Sequence, residues 1–335
     1  MTPSGKREKV DGGEARIIRE VFLPLTGGHP AARSLADDCA VLSPPPGHDL
    51  VLTTDALIEG VHFLPGDIPA FKALAVNVSD LVAKGAQPHV YLLAVALPGV
   101  PDAEFLDALR DGLAEAQELF GCRLVGGDTD RTPARFTLTI TAVGLVPSGS
   151  AVSRGGARPG DRILVTGTIG DAGLGLLLRQ QPALVLETGL TPAQASYLVG
   201  CFDKPVPPVN AAPLVRAHAT AAMDVSDGLI KDLQRLAQAS RVGARVELAS
   251  VPISQAARQF TSSGRLRTAE LLGLGEDYQV LMTVPAKAAQ AVADEAAAGG
   301  ISLTDIGEIV AGDGVQILDV EGTQVSLERI GWDHF

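Results

Sequence analysis

Between Pro147 and Asp161 the chain becomes rich in Gly and Pro, with Arg154 and Arg158 set among them, and the regular apolar patterning on both sides stops. The break falls near the middle of 335 residues. One hydrophobic core does not grow to such a length, whereas two cores of about 150–180 residues account for it. The expected organisation is a flexible leader over residues 1–13, an N-terminal domain over 14–147 and a C-terminal domain over 148–335. Hydrophobic residues make up 46% and charged residues 20%, which suits a folded protein rather than a disordered one. Aromatics are only 4%, so the cores must be built from Ala, Val, Leu and Ile.

Both halves mix helix and strand periods, which places the chain in the α/β (mixed α+β) class. Glu14 to Leu23 reads as a short helix stopped by Pro24. Asp49 to Thr54 reads as a strand ending at Asp55. Pro69 to Gly85 reads as an amphipathic helix, with Phe71, Leu74, Val78 and Leu81 on one side and Asn77, Asp80 and Lys84 on another. A buried strand is expected over Tyr91 to Leu97, and a helix over Asp102 to Phe120 with Gly121 as its C-cap. Arg123 to Val125 is a short strand leading into Gly126-Gly127-Asp128, and Phe136 to Val146 alternates as a half-exposed antiparallel strand. In the second half, strands are expected over Ile163–Thr166, Ala221–Asp224 and Tyr278–Val284. Helices are expected over Ala172–Gln180, Pro192–Phe202 and Pro285–Ala298, and one more, capped by Ser226, carries Leu229, Leu233 and Leu236. The tail reads as β-like.

Charge narrows the function. Lys and Arg total 27 against 39 Asp and Glu, a net charge of −12. With no basic tract, a nucleic-acid partner is not expected. A small polyanion handled by such a chain needs metal ions to bridge the charge. The longest clean apolar run, Tyr91 to Leu97, falls far short of the roughly 20 residues of a spanning helix, so no membrane partner is expected. Met1 to Arg16 is charged and Gly-rich without an apolar core, so no secretion signal is read and a cytoplasmic location is expected. Cys39, Cys122 and Cys201 are widely spaced without a CxxC pair. They read as small buried hydrophobes rather than a disulfide frame or zinc site.

No GxxxxGK[ST], HExxH or GxSxG motif is present, and Gly167 to Gly173 has the spacing of a tight strand-to-helix turn rather than of a dinucleotide loop. What remains is a series of aspartates at strand ends and turns: Asp37-Asp38, Asp55, Asp128, and Asp224 with Asp227 around Ser226. Singly, each is explained as a turn or cap residue. Asp80 is different, because it falls in mid-helix beside Asn77 with no capping role. Carboxylates at the mouth of a sheet repel one another unless divalent cations lie between them, and all-oxygen donors suit Mg²⁺.

At these residues the chain resembles the thiamine-monophosphate kinase family. The resemblance is carried by Ala36-Asp37-Asp38-Cys39-Ala40, Thr53-Thr54-Asp55, Glu59-Gly60-Val61-His62-Phe63, Lys72 through Asp80, and Gly126-Gly127-Asp128. It continues with Ser153-Arg154-Gly155-Gly156-Ala157, Asp224-Val225-Ser226-Asp227-Gly228, Gly275-Glu276-Asp277-Tyr278 and the closing Gly331-Trp332-Asp333-His334-Phe335. It implies the two-domain PurM-like fold of the aminoimidazole-ribonucleotide-synthetase superfamily, with N-terminal sheets of two subunits joined into a barrel in a homodimer. It also implies Mg²⁺-assisted transfer of a phosphoryl group from ATP to thiamine monophosphate, the last step of thiamine diphosphate synthesis. By resemblance, Asp38, Thr53, Thr54, Asp55, Asp80, Asp128, Asp224 and Asp227 surround several Mg²⁺ ions. Gly127, Asp128, Arg154 and Ser226 contact ATP; His62, Glu276 and Trp332 hold thiamine monophosphate; Asp55, Asp128 and Arg154 serve the transfer itself. The family usually has Gly where Ala36 stands and often Gly where Leu274 stands; if those glycines take positive φ, the replacements are costly and the backbone of both loops must differ.

The residue types suit the reaction. The acceptor is a phosphate oxygen, already ionised near neutrality, so no base is needed. The difficulty is bringing two polyanions together, a matter of positioning and charge. Arg154 would add a forked cation, and Trp332 a π face for the thiazolium. The alternatives are another ATP-dependent enzyme of the superfamily (aminoimidazole-ribonucleotide synthetase, selenophosphate synthetase or hydrogenase-maturation protein) and a non-catalytic nucleotide- or thiamine-sensing protein. No Cys precedes Cys39 and the chain ends in Phe335, features that speak against the selenophosphate and maturation types respectively.

Overall fold

The structure, a computed structural model, describes residues 13–333. The expected leader therefore lies outside the described residues except for Gly13, as do His334 and Phe335 of the closing motif. The described chain divides into two compact units. One takes in the described residues up to Ser43, Thr54–Ala73 and Val90–Thr141; the other takes in Pro44–Thr53, Leu74–His89 and the described residues from Ala142 onward.

The chain opens with α1 (Gly13–Ile17), a wide π turn (Ile18–Phe22) and α2 (Leu23–Leu25). Pro24 does not stop this helix. The Leu23 N–H reaches back to the Ile18 carbonyl, and the widened turn lets Pro24 enter at the first positions of α2, where its missing N–H costs no bond. There follow β1 (His48–Ile58), α3 (Ala70–Ala83), β2 (Gln87–Leu97), α4 (Ala103–Phe120), β3 (Arg123–Arg131) and β4 (Thr137–Pro147). The four strands form one sheet in the order β1-β4-β2-β3. α4 is bounded as its sequence demands: the Asp102 carboxylate accepts the Phe105 N–H at 2.8 Å, and Gly121 takes the left-handed turn at φ 68°. Its inner face buries Leu109, Leu113 and Phe120, and the Phe120 ring meets Phe71 at 5.4 Å. α3 is not amphipathic: Lys72, Asn77 and Ser79 are as buried as its leucines.

Two strands run further than their sequence suggests. β1 continues past Asp55 to Ile58, and β3 passes through Gly126-Gly127-Asp128 to Arg131. In β3 the reason is the neighbouring strand. Gly127 lies opposite Leu93 in the parallel β2–β3 ladder, and a Cβ on it would fall 1.8 Å from the Leu93 carbonyl oxygen. Glycine is what allows the strand to continue there.

The second unit holds a six-stranded sheet of β5 (Asp161–Thr166), β6 (Ala221–Val225), β7 (Gly243–Glu247), β8 (Gln279–Pro285), β9 (Leu303–Val310) and β10 (Val315–Leu318), ordered β10-β7-β9-β5-β8-β6. All its pairings are antiparallel except β10–β7. The helices are α5 (Asp171–Gln180), α6 (Leu184–Glu187), α7 (Pro192–Asp203), α8 (Ala212–His218), α9 (Leu229–Ser240), α10 (Gln255–Ser262) and α11 (Ala289–Ala298). Ile163, Leu174, Leu229, Leu233 and Leu281 sit in its core with almost no exposure. β6 is an edge strand, and the segment before β5 runs beside it: the Ala222 N–H donates to the Ser153 carbonyl at 3.0 Å. Of the cysteines only Cys122 is buried. Cys39 is exposed in the loop before β1, where no apolar neighbour encloses it, and Cys201 is intermediate.

Candidate active site

In the first unit the residues of interest lie on β1, β3 and two loops. The Thr54 hydroxyl donates to the Ile140 carbonyl at 3.1 Å and lies 3.0 Å from the Thr141 hydroxyl. Asp55 follows, half-buried, while Asp128 is exposed on β3 and accepts the Thr129 N–H at 2.9 Å. His62 Nδ1 accepts the Ile58 N–H at 3.0 Å, and the His62 carbonyl accepts the buried Lys72 ammonium at 3.2 Å, which pins the turn from both sides. Asp38 is exposed after a turn in which Arg33 pairs with Asp37. The strain in that loop is not at Ala36, whose φ is an ordinary −107°; Arg33, Ser34 and Leu35 take positive φ instead. Leu274 is likewise unstrained at φ −77°. Both departures from the family pattern thus fall where any residue fits.

The second unit carries the denser arrangement. The Thr53 hydroxyl donates to Asp80 Oδ2 at 2.5 Å, and one residue earlier in α3 the Ser79 hydroxyl donates to Asp224 Oδ2 at 3.0 Å. Lys84, at the end of α3, donates to the Ala222 carbonyl at 2.5 Å. Burial pushes the Lys84 ammonium down to about 8, and the charge of Arg154 acts in the same direction, while Asp224 and Asp80 pull it back up. Arg154 itself is exposed.

Around β6 three backbone segments interlock. The Tyr278 N–H donates to the Val225 carbonyl at 2.7 Å, the Glu276 N–H to the Ser226 carbonyl at 2.7 Å, and the Trp332 N–H to the Asp227 carbonyl at 2.9 Å. Gly275 makes the approach possible, with φ +78° and a Cβ position only 2.7 Å from the Ser226 carbonyl oxygen. Asp227 pairs with Arg235 at 2.7 Å and with Lys231 at 3.4 Å. Trp332 is 41% exposed, with the Arg329 guanidinium 4.9 Å from its ring centre, so it is not a buried packing anchor.

Ser226 is not the cap of α9. Gly228 holds that position without a side-chain bond, and the capping is done from inside the helix by Asp232, which sequence reasoning passed over. Asp232 Oδ2 accepts the N–H groups of Ser226, Asp227 and Gly228 at 2.9, 2.9 and 3.3 Å. Burial pushes its carboxyl up to about 6, with Asp227's charge adding, while the amides and Arg235 hold it down. A signal existed: Asp232 stands on the apolar stripe of Leu229, Leu233 and Leu236. Asp277 was also passed over. It is buried, with both carboxyl oxygens within 3.0 Å of the Gly170 amide.

The chain matches known proteins throughout. Residues 36–146 match the family model for the N-terminal domain of AIR synthase related protein, and residues 158–320 that for its C-terminal domain. A thiamine-monophosphate kinase of Caulobacter vibrioides is 39% identical over 329 residues, covering 96% of this chain and 89% of its own. The chain belongs to the thiamine-monophosphate kinase family. The crystal structure of thiamine-monophosphate kinase from Stenotrophomonas maltophilia K279a is 37% identical with a TM-score of 0.75, covering 87% of this chain and 91% of that one. The structure described as AaThiL complexed with AMPPCP and TMP is 32% identical with a TM-score of 0.74, covering 88% and 89%. The two-domain, mixed α/β PurM-like fold expected of the sequence is thus the fold of this kinase family.

For a kinase of this family the metal question turns on donor chemistry. Among the described residues no three His, Cys, Asp or Glu groups gather about one point. Instead Asp80, Asp224 and Asp227 each have a hydroxyl or cationic partner of their own. Mg²⁺ commonly takes only one or two carboxylates and fills its shell with phosphate oxygens and water. Thr53, Asp80 and Asp224 each carry oxygen donors of the kind such a shell uses.

Proposed function

We propose that this protein phosphorylates thiamine monophosphate with ATP, giving thiamine diphosphate and ADP, the last step of thiamine diphosphate synthesis. The observation that carries the reading is the relative at 32% identity and a TM-score of 0.74 whose structure holds AMPPCP and TMP. The superfamily and sensor alternatives are not favoured beside it.

In this reading Gly127, Asp128, Arg154 and Ser226 contact ATP, and His62, Glu276 and Trp332 hold thiamine monophosphate. Asp38, Thr53, Thr54, Asp55, Asp80, Asp128, Asp224 and Asp227 would hold Mg²⁺, which when bound supplies the positive charge that lets two phosphate groups approach. The residues' own work is positional. The attacking phosphate oxygen needs no proton removed, so no side chain acts as a base; Asp55 and Asp128 fix the reacting groups, and Arg154 forks onto phosphate oxygens. Glu276 offsets the acceptor's cationic ring, and Trp332 offers it a π face.

The division into domains at 14–147 and 148–335, a cytoplasmic location and a homodimer belong to the same reading. Support for the dimer comes from β1, an edge strand on which Leu52, Thr54 and Ala56 are exposed in alternation. A second copy joining there would make the barrel. The test of the function is a coupled ADP assay across thiamine, thiamine monophosphate and the acceptors of the superfamily enzymes. ADP is expected only when thiamine monophosphate, ATP and Mg²⁺ are all present. Equal turnover of free thiamine, or of another superfamily substrate, sinks it.

A further inference from the structure

The Val225–Gly228 segment contains three successive peptide groups, and each is bonded on both edges. The first donates its N–H, that of Ser226, to Asp232 Oδ2 at 2.9 Å, and its Val225 carbonyl accepts the Tyr278 N–H at 2.7 Å. The second donates the Asp227 N–H to the same oxygen at 2.9 Å, and its Ser226 carbonyl accepts the Glu276 N–H at 2.7 Å. The third donates the Gly228 N–H to it at 3.3 Å, and its Asp227 carbonyl accepts the Trp332 N–H at 2.9 Å. In a planar trans peptide the N–H and C=O point in opposite directions, so fixing one edge aims the other. The other carboxyl oxygen of Asp232 is held by Arg235 at 2.9 Å.

We infer that Asp232 is the positioning residue for the acceptor side of the site: its buried carboxylate fixes three peptide planes whose carbonyls hold Glu276 and Trp332 in place. Three amides opening a helix are otherwise a ready site for a phosphate. Here the chain's own carboxylate occupies them, so the loop meets a nucleotide through side chains and not through these N–H groups. The segment on the far side is strained: Glu276 and Tyr278 take φ +69° and +49°. Non-glycine residues stay in that region only when their surroundings over-determine them, and the two amides bonded to the Ser226 and Val225 carbonyls supply part of that constraint.

The inference deepens the kinase reading and relies on it only for the name of the ligand. Its first test uses the wild-type full chain and amide hydrogen exchange. The amides of Ser226, Asp227 and Gly228 should exchange slowly without ligand, and their protection should change less than twofold on adding AMPPCP with Mg²⁺. Fast exchange that slows sharply with nucleotide overturns the inference. The second test titrates thiamine monophosphate against the emission of Trp332, the one tryptophan of the chain. Asp232→Asn should weaken binding at least tenfold, whereas Leu233→Ala, a core change in the same helix, should lower stability and leave binding within twofold. A folded Asp232→Asn that binds normally, or a Leu233→Ala that weakens binding equally, overturns the positioning role. If Asp232→Asn does not fold, the wild-type exchange pattern decides alone. Wild-type protein that fails to bind thiamine monophosphate counts against the kinase reading and leaves the exchange result standing.

Discussion

Asp277 lies only 7% exposed beneath the Glu276 turn, with both carboxyl oxygens on the Gly170 amide. Burial pushes this carboxyl well above the ordinary carboxylate range; the Gly170 amide opposes the shift, and Asp171 adds to it. A carboxyl whose folded pKa is raised binds a proton that the unfolded chain has already lost. Its stabilising contribution is therefore whole below about pH 4 and is lost as pH rises through the folded value. Asp277→Asn carries no charge at any pH, so the wild-type melting temperature should fall relative to that of the variant as pH rises above about 4. Parallel melting curves across that range would show the carboxyl to be unperturbed. Trp332 gives a prediction of another kind. Because Trp332 is 41% exposed, Trp332→Ala should cost little stability, raise the Michaelis constant for thiamine monophosphate roughly three- to thirtyfold and leave that for ATP within twofold. An unchanged acceptor constant would remove the ring from the site. Asp80 was legible as a candidate because a carboxylate in mid-helix without a capping role asks for a reason, whereas Asp224 stood out only through the motif it shares with the family. Asp232 left the same kind of signal as Asp80, a carboxylate on the apolar stripe of its helix, but its task of capping three amides from inside the helix was not written there. Asp277 was not legible, since the Gly170 amide it serves lies far away in the chain.

Elements were legible where their ends carry local chemistry. α4 runs from the Asp102 cap to the left-handed Gly121, and both signals are written in single residues. β3 was not, because Gly126-Gly127 reads as a turn until the Leu93 carbonyl is seen beside it. Backbone proximity across a ladder is a tertiary fact, and it reverses the meaning of the glycines. Gly127→Ala therefore has a definite expectation. A methyl placed 1.8 Å from a carbonyl oxygen forces β3 away from β2. Overpacking of this kind costs about 1–3 kcal/mol, read as a lower urea midpoint. Since Asp128 follows directly, turnover should fall as well. A variant with unchanged midpoint and rate would mean that β3 is not held in this register.

At the scale of the molecule, the composition break near Pro147 and the two family-model matches agree that there are two halves, but strand order was beyond reach of the sequence. The orders β1-β4-β2-β3 and β10-β7-β9-β5-β8-β6 depend on pairings between strands far apart in the chain, which no local pattern encodes. Those orders decide which strands are left as edges, and an edge strand with exposed apolar side chains is a template for association. β1 is such an edge, and Leu52 on it is 62% exposed. In water a leucine so placed gains by being covered, and the dimer proposed above covers it with the same strand of a second copy. Sedimentation equilibrium should therefore give twice the 34.6 kDa chain mass. Leu52→Glu sets like charges against each other across a two-fold interface and should shift the protein toward the monomer, with its circular dichroism unchanged because Leu52 is mostly exposed and outside the buried core. A wild-type monomer at tens of micromolar, or a Leu52→Glu variant that sediments as the wild type does, would place the association surface elsewhere or abolish it.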